Sequence, residues 1–273
     1  MHSHSSDSLC FLDHKRCQLA YRLQGNGPPV VFIQGTGVHG DGWRPQVDEL
    51  QSSYTCLTFD NRGMAHSQPH QGPLTVPQMA DDVRALMDHV GWETAHIVGH
   101  SLGGLIAQCF AIESPKRVRS LALLCTISRG KDAASPSWGM IWTGLRTMIG
   151  TKPMRRKAFC EIVLPPSLWP DWKEWSPRLE PLFGHDLATQ PPIAMKQLGA
   201  MQKYDATKHL KSISHIPTLL VGCQYDRIAT PAIMDRLATH FPDGRYVRFQ
   251  DAAHGVPIQC SSQINALLRE HWH

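Results

Sequence analysis

Apolar positions along the chain fall into two patterns. The first is short and unbroken: Val30 to Ile33, Thr55 to Phe59, Ala95 to Val98, Val118 to Leu124 and Thr218 to Val221, with a weaker run at Tyr246 to Phe249. Unbroken apolar runs of this length suit strands covered on both faces, as in parallel sheets. Two further strands are expected at Leu9 to Leu12 and Arg16 to Leu23, with a turn near Asp13-His14; Gly25 to Pro29 is a second turn. The other pattern is helical. From Val76 to Val90, Met79, Val83, Leu86, Met87 and Val90 share one face while Asp81, Asp82, Arg84 and Asp88 share the other, and Gly91 is placed to end the helix. Leu102 to Ile112 reads as a mostly buried helix, and Pro231 to His240 and Ile258 to His271 as amphipathic ones. Strand and helix alternate. The expectation is an α/β fold: a mostly parallel, doubly wound sheet of about eight strands.

One stretch breaks the alternation. Between residues 127 and 212 no strand pattern is convincing. The segment is helical in pattern, broken at Pro136, Pro153, Pro165-Pro166, Pro170, Pro177 and Pro191-Pro192, and rich in Trp and Met. It reads as a helical cap inserted after the sixth strand. Residues 1–126 and 213–273 would then form one core domain.

Composition narrows the classes. A chain of 273 residues can bury a substantial core. The net charge of +4 is small, and the cluster Arg155-Arg156-Lys157 reads as a solvated helix face, so no nucleic-acid partner is expected. The opening residues are polar, without the apolar stretch of a secretory signal, and no apolar run is long enough to span a bilayer. The eight cysteines form no C-x-x-C pair, and no His/Cys cluster has zinc spacing. Reduced thiols, a cytoplasmic home, no membrane partner and no metal are the expectation.

The chemistry centres on Gly99-His100-Ser101-Leu102-Gly103. A bare G-x-S-x-G arises by chance in roughly one chain in ten of this size. Here a buried strand precedes it and a helix follows at once, the context a nucleophile elbow requires. Glycines two before and two after the serine relieve a crowded turn, and the helix aims its N-terminal N–H groups at the site. In this architecture the acid and the base follow the serine in that order. Asp226 lies just past the strand ending near Gly222, and His254 just past the strand ending near Phe249. Taken alone, Asp226 could merely cap the helix beginning near Pro231 or pair with Arg227. Asp251 is too close to His254 in sequence to face its ring, Asp132 lies well downstream of its strand, and His100 reads as packing beside the elbow. After Val30 to Ile33 comes Gln34-Gly35-Thr36-Gly37, a loop whose backbone can approach a ligand. The N–H groups of Thr36 and Leu102 are the candidate oxyanion donors. Gly35, Gly37 and His100, with Trp138 and Trp142 from the cap, are candidate pocket residues, although the plainer reading of each Trp is cap packing.

With Gly99 to Gly104, Asp60-Asn61-Arg62-Gly63 and Ser67, Ile216-Pro217-Thr218 leading to Asp226, and Ala253-His254-Gly255, the chain resembles the α/β-hydrolase superfamily over nearly its whole length. It is most similar to enol-lactonases and acyl-carrier methyl esterases. The resemblance implies a serine hydrolase acting on a carboxylic ester or lactone with an apolar part, without cofactor, and a structural role for the Asp60 to Gly63 segment. The family's usual His-Gly before the oxyanion residue is Gln34-Gly35 here. Carbon–carbon, thioester or perhydrolase chemistry on the same residues is an alternative, as is a ligand receptor with little turnover.

Overall fold

The structure, a computed structural model, describes residues 6–69, 72, 74–133 and 138–273. Eight strands form one sheet: β1 Ser6–His14, β2 Cys17–Gln24, β3 Pro29–Ile33, β4 Thr55–Phe59, β5 Ala95–His100, β6 Val118–Leu124, β7 Thr218–Cys223 and β8 Arg245–Phe249. Their order is β1-β2-β4-β3-β5-β6-β7-β8. The β1–β2 and β2–β4 pairs are antiparallel, and every pair from β4 to β8 is parallel. The helices are α1 Arg44–Leu50, α2 Val76–His89, α3 Leu102–Glu113, α4 Gly130–Ala133, α5 Trp138–Met148, α6 Lys152–Val163, α7 Trp172–Phe183, α8 Pro192–Gln202, α9 Pro231–Ala238, α10 Val256–Gln259 and α11 Ser261–Trp272.

The order places a reversal beside β3, which pairs with β4 on one side and β5 on the other. The β3-to-β4 and β4-to-β5 connections run in opposite directions across the sheet. Right-handed crossovers therefore send their helices, α1 and α2, to opposite faces. Loops after β3 and β5 diverge at this switch point, which opens a crevice at the carboxyl edge of the sheet.

Local chemistry accounts for the main elements. The α2 helix begins at Thr75, whose hydroxyl accepts the Gln78 N–H at 3.1 Å, and stops before Gly91, which takes φ +73°. Helix α3 is buried from Leu102 to Ala111, as an all-round apolar helix must be. The expected C-terminal helix is split at Cys260 into α10 and α11.

Among the described residues, all elements between β6 and β7 are helical, apart from one isolated bridge between Arg129 and Asp205. This segment has a second, smaller core, in which Phe159, Cys160, Val163, Leu164, Leu179, Phe183 and Leu187 pack together with Val38 from the loop after β3. The prolines behave unevenly here. Pro153 and Pro192 sit in the first turns of α6 and α8, where a missing N–H costs nothing. Pro177, expected to break the pattern, lies inside α7 together with Pro181. Burial of Leu179 and Phe183 in the second core holds that helix through both. Pro136 lies outside the described residues.

All eight cysteines are free thiols. Among the described residues no helix is long and apolar enough to cross a membrane.

Candidate active site

Ser101 ends β5 and starts α3 with φ +54° and ψ −120°, a conformation a non-glycine residue holds only when its surroundings enforce it. Its N–H donates to the Leu124 carbonyl at 3.0 Å, and its carbonyl accepts the Thr126 hydroxyl at 2.6 Å. The flanking glycines are steric requirements. A Cβ on Gly99 would lie 2.3 Å from the Gly103 carbonyl oxygen, and one on Gly103 would lie 2.0 Å from that of Ile33.

His254 follows β8 and reaches over the elbow. Ser101 Oγ donates to His254 Nε2 at 2.9 Å, and His254 Nδ1 donates to Asp226 Oδ2 at 2.8 Å. Asp226 follows β7, with its side chain fully buried. Its Oδ1 accepts the N–H groups of Ile228 and Ala229 at 2.8 and 2.9 Å. Burial alone would push its carboxyl up. The charge and hydrogen bond of His254, with the Ile228 N–H, outweigh burial and hold it below the ordinary carboxylate range. The other acids are engaged elsewhere: Asp251 accepts the Ser167 hydroxyl at 2.9 Å, and Asp132 pairs with Arg129 and Arg236.

The loop carrying His254 is fixed twice. His100 Nε2 donates to the His254 carbonyl at 2.8 Å. Burial, then the neighbouring His254, pushes the His100 pKa down to about 3, so its ring stays neutral. The Gly255 N–H donates to the Val163 carbonyl at the end of α6 at 2.8 Å, and a Cβ at 255 would lie 2.7 Å from that oxygen. Glycine after the histidine therefore makes room for the helical segment.

The loop after β3 packs against the elbow. A Cβ on Gly35 would sit 3.1 Å from the Ser101 Cβ. Two amide side chains hold this loop: the Gly35 N–H donates to Gln34 Oε1 at 3.1 Å, and the Gly37 N–H to Gln197 Oε1 of α8 at 2.8 Å. Thr36 lies between these anchors. Asn61 Nδ2 donates to the Gln34 carbonyl at 2.8 Å, and Asp60 accepts the N–H groups of Gly40 and His66, so the Asp60 to Gly63 segment buttresses the loop from below. Leu102 opens α3, where a first-turn N–H has no partner within its own helix.

Beside Ser101 and His254 lies a cavity of about 140 Å³. Gln34, Gly35, Thr36 and His100 line its floor, and Phe159, Ile162, Phe183, Leu198 and Met201 from α6, α7 and α8 form its apolar wall. Two of the pocket candidates read from sequence are placed elsewhere. Trp142 is 65% exposed on α5, on the side of that helix that carries the exposed Leu145 and Met148. Gly37 is not part of the lining, since its N–H turns toward Gln197. The Trp138 side chain lies outside the described residues. Thr126, Val163 and Gln197 escaped the sequence reading, because a lone hydroxyl, a carbonyl and an amide from distant segments carry no spacing signal.

Residues 28–259 match the family described as the alpha/beta hydrolase fold. The chain belongs to the α/β-hydrolase family. Within it, a protein named as a carbamate hydrolase, RutD, from Azorhizobium caulinodans is 25% identical over 252 residues, covering 92% of this chain and 93% of that one. The thermophilic esterase from Thermogutta terrifontis is 25% identical with a TM-score of 0.76, over 93% of this chain and 92% of that chain. The enol-lactonase from Burkholderia xenovorans superposes with a TM-score of 0.80 at 24% identity, over 96% of this chain and 99% of that chain, a likeness of fold.

Proposed function

We propose that the chain is a serine hydrolase that cleaves a carboxylic ester or lactone through an acyl-enzyme on Ser101. The observation that carries this reading is the continuous hydrogen-bonded line from Ser101 Oγ through His254 to Asp226, 2.9 and 2.8 Å. His254 takes the serine proton as Oγ attacks the carbonyl, and Asp226 keeps the imidazole in the tautomer that leaves Nε2 free. The N–H groups of Thr36 and Leu102 receive the developing oxyanion; each donor of this kind is worth about 3–4 kcal/mol. His254 then protonates the leaving alkoxide, and water repeats the attack on the acyl-enzyme. In a lactone the alkoxide stays tethered, and the product is a single hydroxy acid. The α6–α8 wall acts as a cap over the acyl group, and its apolar lining favours a substrate with an apolar part.

The test uses a fluorophosphonate probe and a panel of p-nitrophenyl esters and lactones. Probe mass on the peptide containing Ser101, with turnover of some panel member that Ser101→Ala abolishes, is the expected result. Equal turnover by the Ser101→Ala variant would overturn the proposal.

A further inference from the structure

The β4 end and the loop after β3 meet a second time, away from the cavity. There, one ligating atom each of His39, Asp60 and His66 comes together, all within 4.8 Å of one another. None of the three lines the cavity beside Ser101. We propose that these residues form a binding site for a single divalent transition-metal ion of the zinc class.

The donor set is two imidazoles and one carboxylate, which suits zinc, cobalt or nickel rather than calcium or magnesium. For metal–ligand lengths of about 2.0–2.2 Å, the donors of a tetrahedral site stand roughly 3.3–3.5 Å apart. Two of the three already stand close to this spacing, with His66 Nδ1 at 3.1 Å from Asp60 Oδ2. The histidine rings stand 5.9 Å apart at 76°, edge to face, so neither blocks the other. His66 is 54% exposed, so its ring has room to adjust and close the remaining gap.

The site is preformed by its own backbone. Asp60 Oδ1 accepts the N–H of Gly40, next to His39, at 2.8 Å, and Oδ2 accepts the N–H of His66 at 3.0 Å. Both histidines are thus held beside the carboxylate without an ion. A carboxylate has about four lone-pair positions, so ligation leaves those bonds intact and displaces only the contact with the His66 ring. His39 is fixed on its other side by α7: its N–H donates to the Phe183 carbonyl at 3.4 Å, and its ring rests on Gly184, where a Cβ would come within 2.2 Å of it. Gly184 takes φ +75° as the cap of that helix, so glycine is doubly required. The exposed side of the cluster leaves room for water as the remaining ligand. An ion here would tie together β4, the loop that carries Thr36, and α7.

The experiment titrates the untagged full chain at pH 7.5 with Zn²⁺ by calorimetry and with Co²⁺ by its visible absorption. His66→Ala, His39→Gln and the exposed control His209→Ala are compared with the wild type. One ion per chain is expected. Outer ligands alone commonly change metal affinity about 10–100-fold, so loss of a direct ligand weakens binding at least about tenfold. Both cluster variants should show that loss and His209→Ala should not. At about 100 times Kd the ion raises Tm by about 5 °C in the wild type and not in His66→Ala. The proposal is overturned if the wild type binds no ion saturably, or if binding survives undiminished in His66→Ala, since the sequence holds 16 histidines that could capture metal elsewhere.

Discussion

At the scale of single residues, the candidate site depends on who satisfies whom. Asp226 has no idle oxygen: Oδ1 holds two backbone N–H groups and Oδ2 holds His254. Asp226→Asn can keep the backbone bonds through its amide oxygen, but presents an N–H to Nδ1 and so selects the wrong tautomer. Ester turnover by this variant is expected to fall on the order of 10⁴-fold in kcat with its circular dichroism unchanged. A drop of less than tenfold would remove Asp226 from the proposed role. Thr126→Val deletes the hydroxyl that holds the Ser101 carbonyl at 2.6 Å. A partly buried bond of this kind is worth about 1 kcal/mol, so urea unfolding should show a loss of that order.

At the scale of elements, the turn at Ser101 and the helices between β6 and β7 make opposite demands on glycine. Gly103 lies where α3 crosses β3, and a Cβ there meets the Ile33 backbone. Gly103→Ala should destabilise by about 1–3 kcal/mol or more, because a backbone atom cannot step aside. Gly199 lies inside α8 with no atom within 4 Å of the added methyl. Gly199→Ala should stabilise by about 0.5–1 kcal/mol, through helix propensity and a less flexible unfolded chain. Thermal unfolding of the two variants should move in opposite directions. Helix α8 also supplies Leu198 to the cavity wall. On the proposed function, Leu198→Ala should shift preference toward longer acyl chains, read as kcat/KM across a series of p-nitrophenyl esters; an unchanged profile would detach α8 from substrate selection.

At the scale of the whole molecule, acid sensitivity follows from buried histidines. His100 is pushed down to about 3, whereas an unfolded histidine titrates near 6.5. Between those values the unfolded chain binds a proton that the folded chain refuses. The stabilisation is therefore fully present above about pH 6.5 and is lost as pH falls toward about 3, at up to about 1.4 kcal/mol per pH unit. His96, pushed down to about 4 by burial, acts in the same direction, and the depressed carboxyl of Asp226 adds its own loss at lower pH. Urea midpoints measured from pH 7 to 4.5 should fall steadily. His100→Gln retains an N–H for the His254 carbonyl and should show a shallower slope; an identical slope would mean that His100 is not the group refusing the proton.

The sequence alone determined the order of elements and the chemistry-bearing residues near strand ends. Unbroken apolar runs show burial on both faces, and Gly99, Ser101 and Gly103 carry a steric rule that needs no partner. It therefore gave the parallel sheet, the elbow and the positions of Asp226 and His254 in the chain. Only the tertiary structure decided which distant groups meet. It put Val163 against Gly255, Gln197 against Gly37, and His39 and His66 around Asp60, and it turned Trp142 outward on α5. The physical reason is that such contacts join segments far apart in the chain. A single amide, carbonyl or indole acquires its role from what folding brings beside it, whereas the strained turn at Ser101 is a local property of neighbouring residues.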